Sequence, residues 1–165
     1  MNEFSKRKAV RFDGYDYSKP GYYYVTICTY NRERFFGHIK NGYMVLNDYG
    51  KIAKNVWLKI PNHFFNIGLD EYVIMPNHIH GIIIIDEFVG DGHARPDYRN
   101  KSNLSVIIGS YKSAVSKQIH QLNEISFKWQ RFFYDHIIRT DESLNKIREY
   151  IINNPINWAN DKNNL

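Results

Sequence analysis

The chain has 165 residues, enough for one domain with a sizeable core, and its 43% hydrophobic and 24% charged residues are ordinary for a soluble globular protein. A net charge of +5 admits a polyanionic partner. The single cysteine, Cys28, excludes an intramolecular disulfide; residues 1–12 lack the apolar core of a signal peptide, and the longest apolar run, 81–85, is far too short to cross a bilayer, so a cytoplasmic protein with no membrane partner is expected.

Residues 1–20 are polar, carry Lys6, Arg7, Lys8 and Arg11, and end at the turn signal Pro20-Gly21. They predict a basic arm ahead of one domain over 21–160. Residues 22–29, rich in aromatic and β-branched side chains, predict a strand, and 31–34 a charged turn. Gly37 and Asn41-Gly42 within 35–46 point to a hairpin or a short edge strand. In 48–60, Ile52, Val56, Trp57 and Ile60 share a helical face, with Pro61 as the stop. Residues 67–75 and 78–85 are two apolar runs, either a hairpin or one strand bent at Pro76. A loop over 88–101 precedes a helix over 104–122, capped by Ser102 or Asn103. A short strand over 132–139 follows. Thr140-Asp141-Glu142 opens a last helix, which Pro155 stops. This order predicts an α+β fold: an antiparallel sheet with helices on one face, close to a ferredoxin-like split βαβ arrangement.

Chemistry concentrates in Met75-Pro76-Asn77-His78-Ile79-His80-Gly81. Side chains at i and i+2 of a strand share a face, so His78 and His80 can grip one cation while Ile79 turns into the opposite layer. No nearby Cys or His completes a zinc tetrahedron. The missing ligand must come from elsewhere, and an oxygen donor favours Mg²⁺ or Mn²⁺. On the last helix, Leu144, Ile147 and Ile151 form the buried stripe, with Tyr150 and Asn154 as i, i+4 neighbours on its flank. Asn154 can offer an amide oxygen to the metal, and Tyr150 can attack a phosphate, leaving a 5′-phosphotyrosine and a free 3′-OH. The bland alternative is a tyrosine packing its ring and an asparagine closing a helix. No GxxxxGK[ST] nucleotide loop is present.

Arg32, Arg34, Arg95, Arg99, Lys101, Lys112 and Lys117 could contact phosphates or simply form a solvated face. Trp129, Phe132, Phe133 and Tyr134 could stack on unpaired bases, with the core the better reading for Phe133. His136 could orient DNA or be a hydrogen-bonded structural histidine.

The run from Met75 to Gly81 resembles the His-hydrophobic-His (HUH) motif of single-tyrosine transposases. Tyr24-Val25-Thr26-Ile27-Cys28-Thr29-Tyr30-Asn31-Arg32 resembles the first strand of that family. Trp129-Gln130, Asp135-His136-Ile137-Ile138-Arg139 and Tyr150-Ile151-Ile152-Asn153-Asn154-Pro155 resemble, in order, the C-terminal pattern of its REP-associated branch. The resemblance implies a compact α+β domain related to the ferredoxin-like fold, a divalent Mg²⁺ or Mn²⁺, and cleavage of single-stranded DNA beside REP-like hairpins. By position it makes His78 and His80 metal ligands and Tyr150 the nucleophile, with Asn154 where relatives place a polar ligand, often Gln in the insertion-sequence branch. It allows a monomer or a homodimer. Two readings compete: a metal-dependent hydrolase or cupin-like enzyme, although Ile84 and Ile85 stand where a cupin would want a Glu, and a non-catalytic hairpin-DNA-binding domain with a vestigial site.

Overall fold

The computed structural model describes residues 14–87 and 103–164. Lys6, Arg7, Lys8, Arg11, Arg95, Arg99 and Lys101, and the loop expected over 88–101, lie outside the described residues.

Among the described residues, six strands and four α-helices follow in the order β1 (Gly21–Cys28), β2 (Gly37–Lys40), β3 (Tyr43–Leu46), α1 (Asp48–Leu58), α2 (Ile60–His63), β4 (Ile67–Ile74), β5 (His78–Ile85), α3 (Leu104–Gln121), β6 (Tyr134–Ile138) and α4 (Asp141–Asn153). The main sheet has the order β4-β5-β1-β6 and is antiparallel throughout. β5 therefore slots between β1 and β4, which α1 connects, and this is the split βαβ arrangement. The two apolar runs around Pro76 form a hairpin, closed where the Met75 amide donates to the His78 carbonyl at 2.8 Å. β2 and β3 make a separate two-stranded sheet. Their turn has positive φ at both Asn41 (51°) and Gly42 (77°), as an Asn-Gly hairpin turn demands.

The central strands are apolar on both faces because both faces are covered. Tyr23, Val25, Ile27, Ile79 and Ile83 pack into one cluster with Trp57 of α1 and Leu104, Ile107 and Tyr111 of α3. Tyr24, Ile82 and Ile138 form a second cluster with Leu144 and Ile151 of α4. The helices thus lie on both faces of the sheet, not on one as expected. The alternation of β1 and β5 decides this: each offers a second inward row, which α4 and the segment after it cover.

Gly81 sits on β5 one residue past His80, where a Cβ would fall 2.3 Å from Cζ2 of Trp57. Only a hydrogen at that position lets the indole lie against the strand. Each long helix begins at a side-chain cap: Asn47 Oδ1 accepts from Gly50 N, Asn103 Oδ1 from Ser105 N, and Thr140 Oγ1 from Ser143 N. Pro61 does not end the helical stretch. It lies in the first turn of α2, where its missing N–H costs nothing. Residues expected in the arm also join the body: Tyr17 is buried, and the Tyr23 hydroxyl donates to the Lys19 carbonyl at 2.7 Å.

Candidate active site

His78 and His80 lie at the start of β5 on the α4 face, opposite Cys28 and Thr26 of β1. Both are essentially fully buried, and their Nε2 atoms are 3.0 Å apart. The outer nitrogen of each ring has oxygen partners. Asn77 Nδ2 donates to the carbonyls of Arg32 (3.0 Å) and Asn163 (2.8 Å), which turns its Oδ1 to the His78 ring. His78 Nδ1–H donates to that oxygen at 2.8 Å. His80 Nδ1 is 2.8 Å from both Thr26 Oγ1 and the Tyr24 hydroxyl, and Thr26 in turn donates to that hydroxyl at 3.3 Å. With the proton on Nδ1 of both rings, two bare Nε2 lone pairs would face one another 3.0 Å apart, an arrangement that suits a cation between them.

Two more oxygen donors converge there. The Asp161 carboxylate, 2% exposed, has Oδ2 4.0 Å from His78 Nε2. His78, His80 and Asp161 bring one ligand atom each within 4.8 Å of one another. Asn154, at the C-terminal end of α4, donates through Nδ2 to Asp161 Oδ2 at 3.0 Å, while its own Oδ1 is buried without a hydrogen-bond partner. An orphaned buried oxygen is costly unless something binds it. These residues fit a cation.

Electrostatics agree. Burial pushes His78 down to about 4, against the upward pull of Asp161. Burial, with His78 beside it, holds His80 well below the usual histidine range. Both rings are neutral at physiological pH, the form that ligates metals.

Tyr150, 43% exposed, projects from α4 with its ring centroid 5.3 Å from that of His80 and 6.5 Å from that of Tyr24. Burial and the Asp161 carboxylate raise its pKa, and a hydrogen bond from Asn154 opposes them. The helix register is clamped two residues earlier, where Arg148 makes a two-pronged ion pair with Asp70 of β4 (2.9 and 2.6 Å). A cleft of about 1140 Å³ opens over this site, lined by Tyr24, Tyr150, Asn154, Asp161, Phe132 and Tyr134 among others.

The basic candidates are placed differently. Arg32 lines the cleft, but its guanidinium donates to Asn163 Oδ1. Arg34 donates to Asn164 Oδ1 at 2.7 Å and lies over Trp158, which stacks on His78. Both arginines fasten the segment that carries Asp161. Lys112 donates to the carbonyls of Gln130 (2.7 Å) and Arg131 (3.2 Å), and burial lowers its pKa. His136 is exposed on β6, paired with Tyr24 and so facing the α4 side.

Asp161 was not foreseeable from spacing, because it lies in an irregular segment one residue past the expected domain edge. Asn77 was visible inside the motif, but its tie to Asn163 was not.

No family model matches the chain. A Haemophilus influenzae protein described as uncharacterized is 40% identical over 165 residues, with 94% of this chain and 92% of that one covered. The chain belongs to that protein's family. Another Haemophilus influenzae protein, described as "Putative REP-associated tyrosine transposase", is 26% identical over 153 residues, 86% of this chain and 73% of that one. Among solved structures, a REP-associated tyrosine transposase bound to a REP hairpin matches with a TM-score of 0.63 and 18% identity, over 90% of this chain and 73% of that one. A structure described as "a putative transposase from deinococcus radiodurans r1" matches with a TM-score of 0.50 and 13% identity, over 87% of this chain and 97% of that one. The chain therefore has a transposase-like fold and a distant relative in sequence described as a putative transposase. Among its described residues, no helix is long and apolar enough to cross a membrane.

Proposed function

We propose that this chain is a tyrosine transposase of the REP-associated kind, which cuts single-stranded DNA beside hairpins and rejoins the ends. The observation that carries the reading is the approach of Tyr150 to the buried donor set: its ring is 5.3 Å from His80, on the open side of His78, His80 and Asp161. His78, His80 and Asp161 would hold a divalent cation, with the Asn154 oxygen as a fourth donor. The mix of imidazole and oxygen donors is compatible with Mn²⁺ or Mg²⁺. Bound there, the cation would polarise the scissile phosphate and offset charge growing on its oxygens.

The chain's own residues do the rest. Asn77 on one side, and Thr26 with Tyr24 on the other, would orient the two imidazoles by their outer nitrogens. Arg148 and Asp70 fix the rotation of α4, and thereby the aim of Tyr150. Tyr150 Oη forms a bond to phosphorus as the bond to the 3′ oxygen breaks. The phenol proton leaves to solvent, to which Tyr150 is open, and the departing 3′ oxygen takes one from solvent. The ester is conserved in the 5′-phosphotyrosine, so the 3′-OH of another end can reverse the step without ATP. The net charge of +5 suits a DNA partner, and the lone buried Cys28 suits the cytoplasm.

The test is a denaturing gel of end-labelled hairpin DNA taken from the gene's own flanks, incubated with protein and Mn²⁺. A protein-linked band is expected from wild type and not from Tyr150→Phe. Cleavage without an adduct would move the reading to a metal-activated water, and tight binding without cleavage to a relic site.

A further inference from the structure

Two aromatic side chains beside the cleft are more exposed than packing requires. Phe132 is 51% exposed and Tyr134 54% exposed, and both line the cleft that holds Tyr150. Tyr134 lies on the edge strand β6 opposite Thr26, so its ring points to the α4 face. There it meets Tyr24 edge-on at 6.2 Å, as Tyr150 does at 6.5 Å from its own side. Phe132 is two residues upstream, with the Arg131 guanidinium 5.2 Å over its ring. Their neighbour Phe133 packs against the main core instead. The segment thus alternates an anchored ring with two open ones. Exposed rings of this size normally cover apolar surface or receive something flat.

We propose that Phe132 and Tyr134 form a stacking platform for unpaired nucleobases, which leads a single strand across the sheet edge to Tyr150. The occupant follows from charge and shape. Arg131 and Lys162 are exposed cations at the platform and the cleft mouth, suited to a polyanionic backbone. A π-face accepts any base, so the platform favours single strands over duplex with little regard to sequence. The inference rests on the DNA reading above but on different residues, and it can fail separately.

The test uses the full chain in EDTA, so that no strand is cut. The probes are a hairpin carrying an unpaired flank with 2-aminopurine, and the same hairpin with a blunt end. Wild type should bind the flanked probe more tightly and change the 2-aminopurine emission on stacking. Phe132→Ala and Tyr134→Ala should each weaken flanked-probe binding about 5- to 150-fold, abolish the emission change, and leave blunt-probe binding within about twofold. Phe132→Trp and Tyr134→Phe should retain both signals. Phe65→Ala, an exposed ring at the far end of the sheet, should change nothing. An unaltered emission in the wild-type complex would overturn the proposal whatever the variants do, as would equal losses on both probes or unchanged affinity in the double alanine variant. Adduct formation on the gel reports on Tyr150 independently: a platform that binds without an adduct defeats the cleavage reading alone, and an adduct without stacking defeats the platform alone.

Discussion

Replacing Gly81 with alanine places a methyl carbon 2.3 Å from Cζ2, 2.8 Å from Cη2 and 3.1 Å from Cε2 of Trp57. Neither partner can retreat. Trp57 is fully buried, with Tyr72 stacked at 6.2 Å and Tyr111 edge-on at 5.4 Å. Gly81 is paired across the sheet to Val25 on one side and Tyr72 on the other. Overpacking of this kind costs about 1–3 kcal/mol, and a rigid bicyclic ring against a central strand belongs at the upper end. Alanine recovers about 0.4–1 kcal/mol by restricting the unfolded chain, which leaves a net loss of roughly 2 kcal/mol. For a domain of this size that lowers Tm by about 4–8 °C. Circular-dichroism melts of Gly81→Ala, Trp57→Phe and the double variant measure it. The smaller ring should relieve the clash, with a coupling of about 0.5–3 kcal/mol between the sites. A Tm within about 1 °C of wild type, or strict additivity, would refute the reasoning.

Asn77→Ala should lower affinity for Mn²⁺ about 10- to 100-fold by calorimetry, since it frees the outer nitrogen of His78; unchanged affinity would mean that Asn77 has no role in orienting the ring. Asp161→Ala should weaken the same binding and also abolish adduct formation, whereas full adduct yield would remove Asp161 from the donor set. The Arg148 guanidinium beside Asp70 holds that carboxyl below the usual range. The ion pair therefore adds stability above the unfolded value of about 3.9, and this is lost as pH falls through the lower folded value. Acid titration of stability should show that loss in wild type and not in Asp70→Asn; parallel curves for the two would dismiss the pair.

Much of the fold could be read from local rules. Aromatic, β-branched and apolar runs located β1 and β5, Asn41-Gly42 marked its own hairpin turn, and Asn103 and Thr140 marked helix starts. Proline was less decisive, because Pro61 both breaks α1 and suits the first turn of α2. The second helical layer was missed because a fully apolar strand does not say what covers each face. At the site, the pair on β5 and the pair on α4 follow from spacing within one element, and the structure brings them together. Asp161 follows no period, and its position depends on contacts more than a hundred residues apart in sequence. The same holds for Arg32 and Arg34: a positive charge can be read from sequence, but its engagement by Asn163 and Asn164 cannot.

That engagement bears on how the donor set comes into being. Arg32 reaches Asn163 across 131 positions of chain, and Arg34 reaches Asn164 across 130. Arg32 also holds a left-handed backbone (φ 58°) that few non-glycine residues adopt, kept in place by the partners its carbonyl and guanidinium find. Contacts of such long range carry the entropy of closing the intervening loop. Asp161 therefore reaches the two histidines only where residues 32–34 hold residues 163–164, so the cluster is built where segments distant in sequence meet.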